Sequence, residues 1–441
     1  MDVNEKNRLL SLGKLDEPGL FPRLEELRAK PFAFKPEFGL AAVPEEPGVI
    51  VIRGPRQYGK STWLEGAARE TVQRFGPGTA FLVNGDDLRD ADALADAIRS
   101  LVPLFRTQAS VRRIFVDEIT AVDGWQKGLK RVIDEGLLRA VLCVTTGSKA
   151  TDLRRGIERL PGRTGRLART NYLFTPVPYK EFIRVCGNAV GESATSAYLL
   201  SGGCPAAMGE IAVHGRLPEF VPVMIRDWVG GEFAGSGRSR QSLVAVVRAL
   251  LLRGGAPVGQ AKLAREAGLA NNTVAAGYVE LLADLMCVAT SLAWDASRSV
   301  PVHRKPAKYH VTNLLFATSW DPERPRTAGD FLSFDPGKQG VWLEWLVAQE
   351  LWRRAAVHGN ETPEVMAHWE GGGHEIDFVL GRNAFLEVMR GPASPHDFAW
   401  FPQVFPKAAL TVVNKERFDA GPMRGITFED FLLDESLHSR L

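Results

Sequence analysis

The apolar positions of the chain fall first into short, nearly continuous runs: VIVIR at 49–53, AFLVN at 80–84, IFVD at 114–117, AVLCVT at 140–145 and NYLF at 171–174. Runs this short without polar alternation suit parallel strands buried on both faces. Helical periodicity separates them, most clearly from Ser61 to the Gly76-Pro77-Gly78 turn. Strands alternating with helices predict an α/β, doubly wound domain over 48–177. The preceding residues 1–47 read as a lead-in, with one helical stretch near Leu20 to Arg28 ended by Pro31, Pro36, Pro44 and Pro47.

Beyond Pro178 the pattern changes. Residues 178–240 are helical and glycine-rich, and GSGRSR at 235–240 reads as a linker. Within 241–320, the segments 242–252, 258–267 and 272–285 form three helical stretches, with Gly268 as the turn and Asn271 or Asn272 as the cap of the third. From 321 to 441 mixed α and β patterning returns. No internal repeat is visible.

Composition narrows the possibilities. At 441 residues the chain exceeds one ordinary core, so two or three domains are expected. Lys and Arg number 54 against 52 Asp and Glu, too even for a polyanion-binding surface over the whole molecule. Cys143, Cys186, Cys204 and Cys287 are scattered, without the spacing of a zinc knuckle or redox pair, and a reducing cytoplasm is the expected setting. No stretch approaches the roughly 20 apolar residues of a membrane span, so no membrane association is expected.

Gly54 to Ser61 read GPRQYGKS, the pattern G-x-x-x-x-G-K-[ST], between a predicted strand and a predicted helix. In that context the backbone amides of Gly54, Pro55, Arg56, Gln57, Tyr58 and Gly59 fold around a phosphate, with proline contributing only shape. The helix N-terminus adds its positive end. The expected ligand is ATP with Mg2+: Lys60 reaches the β- and γ-phosphates, Ser61 ligates the metal, and Thr62 completes the loop. RRIFVDEI at 112–119 places Asp117 beside the metal and Glu118 where it can deprotonate the attacking water. After the fourth strand, Ser148 is the candidate for sensing the γ-phosphate, its alternative being a helix N-cap. Arg154, Arg155, Arg159, Arg163, Arg166 and Arg169 follow, and spacing alone does not single out one as a finger toward a neighbouring subunit's nucleotide.

The third helical stretch, NNTVAAGYVELL, exposes Asn272, Thr273, Ala276 and Glu280 and no cation, which weakens a DNA-reading role because phosphate neutralisation dominates DNA affinity. Arg298, His303, Arg304, Lys305 and Lys308 follow as a positive cluster. In the last region Glu344 and Glu350 lie on a helical stretch. Alternation in HEIDFVL and AFLEVMR sets Glu375, Asp377 and Val379 on one face and Phe385, Glu387 and Met389 on another, so that Asp377 and Glu387 share a magnesium ion.

Taken together, RGPRQYGKST at 53–62, VDEI at 116–119 with Trp125 after it, TGS at 146–148, LPGR at 160–163, PVPYKEF at 176–182, GGCP at 202–205, EIDFVL at 375–380 and LEV at 386–388 resemble a known group. They are similar to prokaryotic AAA+ superfamily ATPases with a C-terminal domain of unknown function related to restriction-type nucleases. The resemblance spans nearly the whole chain. It implies an AAA+-type parallel-sheet domain, a helical lid, a winged-helix block over 241–320 with its wing in 286–311, and a nuclease-like α/β domain over 321–441. It also implies Arg163 as the finger, and therefore a homo-oligomer. A restriction-type site built on Glu344, Asp377 and Glu387 has a lysine two residues after the second acid, where this chain has Met389. A thioether cannot position water or stabilise a charged phosphate, so cleavage is not expected.

The expectation is an ATP-hydrolysing switch or motor acting on DNA through the wing and the C-terminal domain, within mobile-element or phage-defence biology. The alternatives are a nucleotide-gated protein-interaction scaffold and an ATP-licensed, metal-dependent nuclease. A GTPase is disfavoured: the N-K pair Asn414-Lys415 lies outside the nucleotide domain.

Overall fold

Uniformly apolar strands need cover on both faces, and the N-terminal half of the computed structural model supplies it. The structure describes residues 1–148 and 167–437, which divide into a unit ending at Thr175 and a unit beginning at Pro176. In the first unit β1 (Gly48–Arg53), β2 (Ala80–Asn84), β3 (Arg113–Asp117), β4 (Leu142–Gly147) and β5 (Asn171–Leu173) form one sheet in the order β2-β3-β4-β1-β5. Every pairing is parallel.

The helices α1 (Val3–Leu12), α2 (Pro22–Arg28), α3 (Lys60–Phe75), α4 (Ala91–Leu101) and α5 (Trp125–Asp134) cover it. One core joins Leu94 and Ile98 of α4 and Trp125, Leu129 and Val132 of α5 to Phe81, Ile114 and Val116 on the strands. Each such side chain contributes about 1.5–3 kcal/mol on burial.

The lead-in is more ordered than its composition suggests. Helix α1, absent from the sequence reading, is capped by Asp2, whose carboxylate accepts from the Glu5 N–H at 2.8 Å. The buried amide of Asn7 then donates to Leu82 O and accepts from Leu82 N, both at 2.8 Å. It completes the ladder of the edge strand β2 as a further strand would. Phe38 is buried against Trp63, Tyr172 and Phe174, with ring centroids 5.2, 6.3 and 4.7 Å away, which fastens the lead-in to α3 and β5.

The second unit begins with helices Tyr179–Val190, Ala194–Ser201, Pro205–His214 and Phe220–Gly235. The expected linker at 235–240 is only a short turn, and Ser239 already caps the next helix. The three helical stretches form as Arg240–Leu252, Gln260–Glu266 and Asn272–Asp284, and it is Asn271 that caps the last, accepting from Val274 N at 3.0 Å. An antiparallel ribbon of β6 (Val288–Asp295), β7 (Val300–Val302) and β8 (Lys308–Val311) follows.

A boundary at 320/321 cuts through this sheet. Strand β6 also pairs, in parallel, with β9 (Val365–Gly371), which pairs with β10 (His374–Ile376), so the ribbon and the C-terminal region share their backbone hydrogen bonds. A separate sheet, order β11-β12-β13-β15-β14, is built from β11 (Phe378–Gly381), β12 (Ala384–Val388), β13 (Ala409–Asn414), β14 (Phe418–Ala420) and β15 (Met423–Thr427). The expected single strand HEIDFVL is therefore two, broken at Asp377 as the chain passes from one sheet to the other. Asp377 directs both carboxylate oxygens to partners, Lys308 and the Val388 N–H, rather than holding a place in a regular ladder.

Candidate nucleotide site

The phosphate-loop residues lie between β1 and α3, at the carboxyl edge of the sheet where open α/β folds bind ligands. The turn needs two left-handed residues, Gln57 at φ 62° and Gly59 at φ 100°. Only the second is free of a Cβ penalty. Tyr58 is buried beneath the loop, while Arg56 and Gln57 are exposed and Ser61 and Thr62 are half-buried at the start of α3. The Lys60 ammonium is buried and donates to Gly54 O at 2.9 Å and Pro55 O at 2.7 Å, which holds the loop around it. A curled backbone, a central ammonium and a sixteen-residue helix with its N-terminus facing the curl are the parts an anionic phosphate requires.

The acids arrive from the end of one other strand, β3. Because β4 lies between β3 and β1, with Val116 beside Thr145 and Arg53 beside Gly147, Asp117 emerges at the same edge as the loop. Thr146 donates its hydroxyl to Asp117 Oδ1 at 2.5 Å. Glu118 takes a left-handed conformation, φ 44° and ψ 48°, which costs a non-glycine residue about 1–2 kcal/mol. The turn points its carboxylate at Ser148, whose N–H and hydroxyl donate to Glu118 Oε2 at 3.2 and 3.0 Å. Ser148 thus holds the glutamate. Gly85, which sequence reading passed over, makes the turn possible: a Cβ there would stand 2.3 Å from the Glu118 carbonyl oxygen.

Residues 46–183 match a family model described as AAA domain. This segment is a P-loop domain of the AAA type.

Solved structures resemble the chain only distantly. A Walker-type ATPase of Pyrococcus abyssi is 15% identical, covers 72% of this chain and 95% of its own, and scores a TM of 0.42. The Aeropyrum pernix ORC1 protein in complex with DNA is also 15% identical, with 72% and 92% covered and a TM-score of 0.33. No curated protein matches the chain. Arg163 lies outside the described residues, as do Lys149, Arg154, Arg155, Arg159 and Arg166. Arg169 stacks on Tyr172 at 4.4 Å and donates to Asn171 O at 3.0 Å, in the service of β5. No helix among the described residues is long and apolar enough to cross a membrane.

In the second unit the structure brings together Glu344, Asp377 and Glu387 and adds a residue that had been read differently. Lys308, expected among the exposed wing cations, is 1% exposed. It donates to Asp377 Oδ1 at 3.0 Å, pairs with Glu375, and stands 3.6 Å from Glu344 Oε1. Strand pairing explains the error, because Lys308 opposes the fully buried Ser291 and faces inward. The second acid is tied as well: Glu387 Oε2 accepts from Asp377 N at 3.1 Å, and Asp377 Oδ2 accepts from Val388 N at 3.0 Å. Met389 is half-buried and packs against the core formed by Phe385, Phe401 and Leu410. Glu350 binds Arg353 and Arg354 inside the helix Pro336–Val357 and takes no part in the cluster.

Burial, then the charge of Asp377, push Glu344 up to about 8 from an ordinary 4.5, against the opposing pull of Lys308. The folded chain therefore retains a proton that the unfolded chain releases. The associated stability is complete below about pH 4.5 and is lost as the pH rises through about 8. Glu344→Gln is expected to raise the melting temperature near pH 9 and to change it little near pH 5. Equal shifts at both pH values would show that the carboxyl's titration is not the cause.

Proposed function

We propose that this chain binds and hydrolyses ATP as an AAA-type switch whose output acts on DNA. The observation that carries the reading is the convergence of Lys60, inside the curled loop after β1, with Asp117 and Glu118 at the end of β3, across the intervening β4. On phosphate binding Lys60 exchanges the Gly54 and Pro55 carbonyls for β- and γ-phosphate oxygens, and the loop amides and the start of α3 hold the remaining charge. Ser61 and Asp117 are the residues that would hold Mg2+, which when bound neutralises phosphate charge. The Thr146 hydroxyl fixes the carboxylate of Asp117 for that role. Glu118 accepts the proton of the attacking water, and Ser148 sets the direction of its carboxylate, a role that replaces direct γ-phosphate sensing. Arg163, on the resemblance noted above, is the finger supplied to a neighbouring copy.

For DNA, the support is the exposed turn His303, Arg304 and Lys305 between β7 and β8, placed after a helix-turn-helix pattern as a wing would be. A second reading, the nucleotide-gated scaffold, is favoured by the exposed side of the helix Asn272–Asp284, where Asn272, Thr273 and Glu280 offer no phosphate contact. The two separate on turnover: duplex or single-stranded DNA raises ATP hydrolysis by the switch, and Arg304→Ala with Lys305→Ala removes the rise. Unchanged turnover with every nucleic acid selects the scaffold. Beneath both lies nucleotide binding. Lys60→Ala is expected to weaken ATP binding by about a hundredfold or more in calorimetry, since a charge-assisted contact to each of two phosphates is lost. Near-native affinity in that variant overturns the reading.

A further inference from the structure

A magnesium site is what the nuclease-like acids Glu344, Asp377 and Glu387 suggest, and the residues around them do not fit one. Among the described residues no group of three or more His, Cys, Asp or Glu side chains is arranged to hold a metal ion. The place between the carboxylates is taken. Lys308 enters from β8, and its ammonium contacts Asp377, Glu375 and Glu344 at once. Each oxygen of Asp377 already has a donor, and one oxygen of Glu387 is bound to the backbone.

Asp377, Glu375 and Glu344 surround that ammonium. His310, on the same strand, is fully buried with both ring nitrogens unpartnered, and its Nδ1 stands 3.5 Å from Glu344 Oε1, itself without a hydrogen bond. Burial and the Lys308 charge hold His310 and His368 below the usual histidine range, so neither supplies positive charge. Lys308 is buried against the carboxylates of Asp377 and Glu344, with Glu375 at the half-exposed edge. That ammonium already supplies positive charge to the acids a divalent ion would need.

We infer that Lys308 is the resident cation of this pocket: its ammonium stands where a divalent metal would bridge the acids, and the native chain takes no metal there. The pocket is then an ionic clasp, joining the ribbon that follows the helix-turn-helix pattern to the helix Pro336–Val357 and to β12. Without the lysine, Asp377, Glu344, Glu387 and the unpartnered His310, which are not arranged to hold a metal around the ammonium, are free to close on a divalent cation.

The test is titration of full-length, nucleotide-free protein with MnCl2, following free Mn2+ by electron paramagnetic resonance. The loop acids of the other unit also take Mn2+, so each protein is compared with the same protein carrying Asp377→Asn. The expected result is no difference for the native pair and one additional equivalent per chain in Lys308→Met over Lys308→Met/Asp377→Asn. An equivalent in the native chain that Asp377→Asn abolishes overturns the inference, and so does a folded Lys308→Met that gains none. If Lys308→Met does not fold by circular dichroism, the native comparison decides alone, absence of the equivalent supporting the inference and its presence overturning it. None of these readouts involves ATP, so the nucleotide reading stands or falls separately.

Discussion

Glu118→Gln is expected to reduce ATP turnover by about 10²–10⁴-fold, the range for loss of a positioned general base, while ATP binding stays near native. The amide remains isosteric with the carboxylate and still offers an oxygen to the Ser148 N–H and hydroxyl, so the left-handed turn at 118 and the packing of Gly85 beneath it persist. What disappears is the proton acceptor. Single-turnover hydrolysis beside equilibrium binding of ATP separates the two effects, and in a folded protein a loss of binding equal to the loss of turnover would mean that Glu118 shapes the pocket and does not activate water. Ser148 sits upstream of the same step. It touches the base and not the reacting atoms, so it is a positioning residue.

The second large effect lies in the other unit. Lys308→Met is expected to cost about 3–5 kcal/mol, the usual consequence of leaving a buried partner charge uncompensated. Asp377 would then retain only the Val388 N–H, and Glu375 would lose its partner. Urea unfolding of the second unit reports the loss. Adding Asp377→Asn to Lys308→Met is expected to recover part of it, because the orphaned charge is removed with its partner. Additive losses in the double variant would show that Lys308 acts through packing of its stem and not through its charge.

Local rules carried the reading of the first unit a long way. Each of the five apolar runs is a strand within two residues of its expected limits, because a strand buried on both faces must be apolar throughout and a crossover helix must show the other period. Lys60, Asp117 and Glu118 were visible for a related reason: a phosphate loop and a strand-end acid pair are set by neighbours in sequence. Their mutual placement was not. It depends on β4 lying between β3 and β1, which no local pattern encodes. Thr146 was legible only as part of the TGS segment, and its hold on Asp117, like the role of Gly85, was not, because each acts on a residue from another strand.

The C-terminal acids mark the limit. Alternation placed Asp377 inside one strand, but the chain leaves one sheet and enters another at that residue. A cation in a basic, proline-rich stretch reads as solvated, and Arg304 and Lys305 are exposed. Lys308 differs only through pairing: its register against β6 turns it inward, onto acids 36 to 69 positions away in sequence, Glu344, Glu375 and Asp377.

The sequence by itself determined the alternation of strands and helices in the first unit, the phosphate loop and its acids, and the three helices before the ribbon, since periodicity and short-range chemistry specify all of these. Tertiary structure alone decided that Ser148 grips Glu118, that the ribbon and the C-terminal strands share a sheet, and that Lys308 closes the acidic pocket. Those outcomes depend on which strands pair and in what register, and the free energy that selects them comes from burial and charge compensation between residues far apart in the chain.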